Sequence, residues 1–139
     1  MLSRKFFLLA IALTCAIFME SAIAATYSDF TGNTTNALSG RFFWTPISNA
    51  TFNGFEFSGQ MNSGLTDPDA SHYSFALNNT DTNTTALDMT QQIVSVLKIV
   101  AQGCAPLQID FPNVMNFTGK AFVVGLNGVQ IGIAPLISQ

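Results

Sequence analysis

Residues Arg41–Met61, "RFFWTPISNATFNGFEFSGQM", carry the clearest strand pattern in the chain. Near the centre of this stretch stands Asn53-Gly54, a pair typical of a two-residue type I′ turn, because both central residues of that turn need positive φ. A hairpin folded there has one apolar face, which pairs Phe52 with Phe55, Ala50 with Phe57 and Pro46 with Met61, and continues through Phe42 and Trp44. The other face is polar, so the sequence predicts a half-buried antiparallel strand pair.

A second Asn-Gly pair, Asn127-Gly128, divides the uncharged tail Ala121–Gln139, "AFVVGLNGVQIGIAPLISQ". A reverse turn in the middle of this stretch argues against a membrane span and predicts another hairpin. Its bulky face should be buried and consists of Phe122, Val124, Leu126, Val129, Ile131 and Ile133. Because small residues allow another backbone to approach closely, the opposite face is expected to lie either under a loop or against another subunit. The second alternative makes it an interaction face, represented by Val123, Gly125, Gln130 and Gly132.

Helical periodicity follows in Asp88–Gly103, "DMTQQIVSVLKIVAQG". Asp88 is a good N-cap, Gln91 completes a capping box, and Gly103 is placed to end the helix. Alternating residues in His72–Leu77 and Pro106–Phe111 predict two further strands, and the polar Asn78–Thr85 predicts a loop. The predicted fold class is α+β: a largely antiparallel sheet with two Asn-Gly hairpins, packed on one amphipathic helix.

The first 24 residues predict a cleaved signal peptide. Arg4 and Lys5 form a positive region, Phe6–Met19 is apolar, and Ala22-Ile23-Ala24 is an A-x-A cleavage site. The mature chain is expected to begin at Ala25, with residues 25–40, "ATYSDFTGNTTNALSG", as a polar lead-in and residues 41–139 as a single α+β domain. The expected location is secreted or periplasmic, with no transmembrane segment after cleavage.

Charge excludes several functions. After cleavage the chain keeps seven carboxylates and three cations, a net charge of −4 with the histidine neutral. The three cations are Arg41, Lys98 and Lys120, which are too scattered to form a basic patch. Binding to nucleic acid or to anionic lipid is therefore not expected.

Catalytic residue types are scarce. His72 is the one histidine and lies in "DPDASHY", where Asp67, Asp69 and His72 suggest either a metal cluster or an ordinary turn, and we favour the turn. Cys104 is the one cysteine after Ala25, and the alternatives are a buried small residue, an intermolecular disulfide or a hydrolase thiol paired with His72. A thiolate after a helix C-terminus is disfavoured, so the buried role is preferred. The low-ranked catalytic candidates are His72, Asp69 and Cys104.

Two further sequence patterns concern calcium binding and glycosylation. "NTDTNTTALD" has spaced oxygens in Asp81, Asn83 and Asp88, but it lacks the turn glycine and closing glutamate of an EF-hand. A solvated loop is preferred to a low-affinity calcium site, and no cofactor is predicted. Five N-x-[S/T] sequons, which would matter only in a eukaryotic secretory pathway, begin at Asn33, Asn49, Asn78, Asn83 and Asn116.

These observations favour an exported, small, non-catalytic protein that acts by protein–protein or surface contact, with self-association as one form of that contact. Two alternatives remain open. One is a small secreted hydrolase that uses His72, and the other is a periplasmic accessory subunit of an envelope machine.

Overall fold

The computed structural model describes residues 25–32 and 37–139. Within these residues ten strands, β1 to β10 in chain order, span Thr26–Thr31, Ser39–Ser48, Asn53–Ser63, Tyr73–Asn79, Thr85–Asp88, Ile99–Val100, Gly103–Cys104, Leu107–Phe111, Lys120–Leu126 and Val129–Ser138. Eight of them form one antiparallel sheet in the order β5-β4-β9-β10-β1-β2-β3-β8, and β6 pairs with β7. The sheet curls into a half-barrel. The predicted signal peptide and Asn33 lie outside the described residues.

The α+β prediction is wrong, because strands make up 58% of the structure and helical residues 9%. The helix predicted over Asp88–Gly103 shrinks to α1, Thr90–Val96, and Leu97 is already extended. Asp88 ends β5 and is not the N-cap, although its Oδ1 accepts a hydrogen bond from Thr90 N at 2.9 Å. The rest of the predicted helix becomes the β6–β7 pair. β-branched residues in this segment lower its helix propensity, which lets tertiary contacts decide its conformation.

The first hairpin has a different turn from the predicted one. Asn53 and Gly54 lie in β3, where they pair with Ser48 and Ile47, and the loop is Asn49–Phe52. The Asn49 side chain closes this loop: its Oδ1 accepts hydrogen bonds from Thr51 N at 2.9 Å and Phe52 N at 2.8 Å. The shift from the predicted register is an even number of residues, so the same side chains still face inward.

Gly54 has a steric role. A Cβ atom at this position would lie 2.0 Å from the carbonyl oxygen of Phe111 in β8, and its φ is not in the left-handed region. The glycine therefore allows β3 and β8 to approach closely. Close packing of two strands is thus a second reason for a glycine in an Asn-Gly pair, besides the turn that the sequence predicts.

The second hairpin turn is confirmed. Asn127 and Gly128 have φ of 50° and 78°, as a type I′ turn requires, and Leu126 pairs with Val129. The register then shifts by one residue between Gln130 and Gly132. A one-residue shift exchanges the two faces of a strand.

The predicted buried face of β10 is therefore wrong beyond this bulge. Gly132 and Ala134 point inward and are buried, whereas Ile133 is 44% exposed. Val129 was also predicted to be buried and is 65% exposed, but it lies before the bulge, next to the turn, and keeps its predicted partner Leu126. In β9 the prediction holds, because Phe122 and Val124 are fully buried.

The polar segment expected to be a loose lead-in contains β1, which lies between β10 and β2 in the sheet. Its alternating residues point into the core: Thr26, Ser28 and Phe30 are buried. The Ser28 hydroxyl accepts a hydrogen bond from the indole Nε1 of Trp44 at 3.1 Å. Sequence polarity misses this strand because two of its three inward residues are small and polar.

The core lies inside the curl and is mostly aromatic. Trp44 is fully buried, and its ring centroid lies 4.7 Å from that of Phe57 and 5.3 Å from that of Phe122. Helix α1 buries Ile93 and contacts both β4 and β8, which lie near opposite ends of the sheet order. The helix therefore lies across the open side of the half-barrel.

Candidate functional site

The segment around His72 is a hydrogen-bonded turn. His72 Nδ1 lies 2.7 Å from Asp67 Oδ2, and Nε2 lies 3.6 Å from Asp69 Oδ2. Both carboxylates also accept backbone N–H groups of the same turn: Asp67 from Asp69 N at 2.8 Å, and Asp69 from Ser71 N at 2.9 Å. The carboxylates thus stabilise the short 3-10 helix Ala70–His72 that leads into β4.

Electrostatics in this turn favour the charged forms. The hydrogen bond to Asp67 raises the pKa of His72 above its ordinary 6.5. The pKa of Asp67 is lowered, mainly by the hydrogen bond that its carboxylate accepts from the backbone N–H of Asp69. The hydrogen bond with His72 lowers it further. The His72 side chain is 45% exposed, so this ion pair is solvated and adds little to stability.

His72→Ala should remove a small, pH-dependent contribution to stability. Because the folded-state pKa of His72 is raised, the contribution is fully present below 6.5 and is lost as pH rises through the folded pKa. The melting temperature of the wild type relative to His72→Ala should therefore fall across that window. Thermal unfolding at a series of pH values measures this difference, and a constant difference between the two proteins would show that the pair contributes nothing.

Cys104 and His72 have different hydrogen-bond partners. Its thiol is buried, and Sγ accepts a hydrogen bond from Met61 N at 3.2 Å. Burial raises the pKa of the thiol, which disfavours the nucleophilic thiolate at neutral pH. In the described residues no hydrogen bond joins Cys104 to His72, so the structure does not assemble the thiol–imidazole pair of a hydrolase.

The three calcium candidates are likewise used locally. Asp81 accepts a hydrogen bond from Thr82 N at 2.8 Å, and Asn83 adopts φ of 52° in the turn between β4 and β5. Asp88 lies at the far end of β5. Across residues 25–32 and 37–139, no three His, Cys, Asp or Glu side chains are grouped to hold a metal ion.

Three of the four residues of the predicted interaction face line one hollow. Val123, Gly125 and Gln130 border a cavity of about 220 Å³ on the outer side of the sheet, whereas Gly132 is buried. The remaining walls come from β4, β5 and the second turn: Ser74, Ala76, Asn78, Thr85, Gly128 and Val129. We call this cavity the outer hollow.

The outer hollow is uncharged and has one unusual atom. Asn78 Oδ1 is buried and receives no hydrogen bond in the described structure. Buried polar atoms are nearly always paired, so this acceptor is an exception within the described residues. Gly125 leaves room for Ser74, since a Cβ there would lie 2.4 Å from Ser74 Oγ.

Sequence reasoning missed the contribution of β4 and β5 to this site. Asn78 and Thr85 marked the ends of a predicted loop, and strand alternation placed Ser74 and Ala76 only on an outward face. The alternation was a usable signal for those two residues, but the pairing of β4 with β9 is a long-range contact that no local pattern encodes.

No family model and no curated protein matches this chain. Among solved structures, two variants of superoxide dismutase 5 from Candida albicans are similar to it. The first has a TM-score of 0.60 and 14% identity, and covers 83% of this chain and 92% of its own. The second has a TM-score of 0.61 and 12% identity, with 83% and 89% covered. The likeness shows that the fold resembles this β-barrel. None of the helices in the described residues has the length and apolarity to cross a membrane.

Proposed function

We propose that the protein is exported and acts without catalysis, by protein contact through the outer face of its sheet. The observation that carries this proposal is the outer hollow, an uncharged concavity at the surface with an unpaired buried acceptor, Asn78 Oδ1. It is smaller than the ~300–1,000 Å³ of typical small-molecule pockets. Its size suits a partner side chain that brings an N–H or O–H group to Asn78.

The activity named for the structural neighbours does not transfer to this chain. Superoxide dismutation needs a metal centre that changes oxidation state, and imidazole nitrogens are common ligands of such metals. This chain has one histidine, His72, which is bonded to Asp67 in a turn. Together with the absence of a metal-holding cluster among the described residues, this donor set does not fit a dismutase centre.

The export component rests on residues 1–24, whose basic, apolar and A-x-A regions favour secretion or periplasmic delivery. A periplasmic accessory subunit is one form of the same contact function, and fractionation of the native host distinguishes it from a released protein. The hydrolase alternative lacks such support, because His72 does not border the outer hollow and its carboxylate neighbours close a turn.

Site-specific photo-crosslinking in the native host tests the proposal. A photoreactive residue at Gln130, in the wall of the outer hollow, should give discrete protein adducts. The matched control is Gln108, another exposed strand glutamine, which lies on β8 at the end of the sheet. Ala76→Arg should abolish the adducts from position 130 by filling the hollow. Equal adducts from both positions, or none from position 130, would contradict contact through this face.

A further inference from the structure

The two Asn-Gly pairs of this chain lie in opposite environments, and the difference bears on the chemical stability of their asparagine amides. Asparagine is one of the thermolabile residues of proteins. The backbone nitrogen of the following residue can attack the side-chain amide carbon, and a glycine hinders this attack least because it has no Cβ. The reactivity of each pair therefore depends on whether its glycine nitrogen is held by the fold.

Gly128 belongs to an exposed turn that leaves its nitrogen unengaged. Asn127 and Gly128 are both exposed, and no atom lies within 4 Å of the point that a Cβ of Gly128 would occupy. In the part of the chain that the structure describes, Asn127 N donates to the carbonyl oxygen of His72 at 2.9 Å, whereas Gly128 N donates to no backbone carbonyl. This peptide unit is therefore open to rotation towards the Asn127 side chain.

Gly54, by contrast, is held in the sheet. Asn49 N donates to Phe52 O at 2.9 Å at the end of the first hairpin. Bonded pairs recur at every second residue of an antiparallel ladder, so Ile47 and Gly54 form the next bonded pair. Gly54 is also buried, and the Phe111 carbonyl oxygen lies 2.0 Å from the point that its Cβ would occupy. Attack by the Gly54 nitrogen would first require this part of the strand to open.

We infer that Asn127 is a site of spontaneous deamidation in the folded protein, whereas the fold protects Asn53. In this reaction the Gly128 nitrogen attacks Cγ of Asn127, a new N–Cγ bond closes a succinimide ring, and the Cγ–Nδ2 bond breaks. Ammonia leaves with the proton of the Gly128 N–H. Water then opens the imide at one of its two carbonyl carbons and gives either an aspartyl or an isoaspartyl residue.

Both products place a charge beside the outer hollow. The turn borders the hollow through Gly128 and Val129, and none of the lining residues is charged. The new carboxylate at position 127 is ionised at neutral pH, and a partner that covers the hollow must then desolvate it. The isoaspartyl form also lengthens the backbone of a turn that pairs Leu126 with Val129. Deamidation therefore weakens contact through the outer face, a consequence that rests on the proposed function.

Peptide mapping by mass spectrometry tests the site. The purified protein is held at mildly alkaline pH and body temperature, and each Asn-Gly peptide is followed for the mass increase that replacement of –NH2 by –OH produces. In the folded protein Asn127 should react at least about tenfold faster than Asn53, because the Gly54 nitrogen must first leave its ladder bond. After denaturation the two rates should become similar, because the reacting residue pair is the same.

Gly128→Ala is the matched variant for the chemistry. The added Cβ crowds the attacking nitrogen, so the reaction at Asn127 should slow several-fold while the rate at Asn53 is unchanged. Circular dichroism should show that the variant remains folded, since nothing lies within 4 Å of the added Cβ. Equal rates at the two asparagines of the folded protein, or a faster reaction at Asn53, would overturn the assignment of the site.

Photo-crosslinking from Gln130 tests the consequence for contact. Asn127→Asp introduces the charge but keeps the turn, because Asp-Gly also favours type I′, and it should remove most of the adducts. Asn53→Asp introduces the same charge outside the hollow and should leave the adducts unchanged. Undiminished adducts with Asn127→Asp would show that deamidation does not regulate this face. Absence of adducts in the wild type would contradict the proposed function instead, whereas the mapped reaction at Asn127 does not depend on that result.

Discussion

Phe122→Ala should lower the free energy of unfolding by about 3–5 kcal/mol, the largest loss expected from a single truncation in this protein. The ring is completely buried and lies at the centre of the aromatic core. Five other rings have centroids between 5.3 and 6.2 Å from it: Trp44, Phe42, Phe57, Phe30 and Phe75. Removal of the ring leaves a cavity that rigid neighbouring rings fill poorly.

Urea denaturation followed by tryptophan fluorescence measures this loss, because Trp44 is the one tryptophan and contacts the same ring. Phe43→Ala is the matched control, an exposed phenylalanine on the outer side of β2, and should change stability by less than about 1 kcal/mol. Similar losses in the two variants would contradict the placement of Phe122 in the core. A typical domain has only ~5–15 kcal/mol in total, so Phe122→Ala should remove a large share of the stability and shift the denaturation midpoint to clearly lower urea.

Gly54→Ala should be destabilising by roughly 3 kcal/mol, at the upper end of overpacking effects. The added Cβ would lie 2.0 Å from the Phe111 carbonyl oxygen, a backbone atom that cannot move without displacing β8. The expected result includes weaker pairing between β3 and β8. Denaturation measures the loss, and amide hydrogen exchange along Leu107–Phe111 locates it.

Gly128→Ala provides the control for Gly54→Ala. Gly128 has positive φ, but no atom lies within 4 Å of the point that an added Cβ would occupy, so only backbone strain opposes the substitution, at about 1 kcal/mol. If Gly128→Ala proves more damaging than Gly54→Ala, the close approach of β3 and β8 is wrong and the Asn53-Gly54 turn returns as the better explanation.

The two Asn-Gly pairs show how far local sequence determines this fold. At Asn127-Gly128 nothing competes with the local preference for positive φ, and the predicted turn forms. At Asn53-Gly54 a competing local signal, the Asn49 side chain, closes a loop four residues earlier. Contact with Phe111 then requires the glycine in a strand, and that requirement depends on a residue more than fifty positions away.

Inward and outward faces were more predictable than registers or lengths. Strand alternation correctly placed Phe42, Trp44, Phe55 and Phe57 on one face, even though the pairing was wrong. The helix was overestimated because an apolar 3.6-residue pattern cannot register that Ala101 and Gln102 adopt positive φ in a tight turn. Polar β1 was missed because its burial depends on neighbours from both ends of the chain.

The candidate site was predicted in part for the same reasons. Val123 and Gly125 lie on β9, where simple alternation holds, and Gln130 lies on β10 before the bulge. The three residues are therefore on the same face, as predicted. Gly132 follows the bulge and is turned inward. The hydrophobic pattern does not reveal a bulge of one residue, because Ile131 and Gly132 can each occupy either face of a strand.

The pairing of β1 with β10 has a consequence for the timing of folding. Thr26 pairs with Ser138, and Gln139 N donates a hydrogen bond to Ala25 O at 3.0 Å, so strands from the two ends of the described chain meet in the middle of the sheet. Closing a loop of that length has an entropic cost of about 4 kcal/mol, which local contacts cannot offset in advance. Proteins dominated by such distant pairings fold slowly. A ribosome must therefore release the chain through β10 before the sheet can join, and an export apparatus that acts during or soon after synthesis would receive the polypeptide before the sheet is complete.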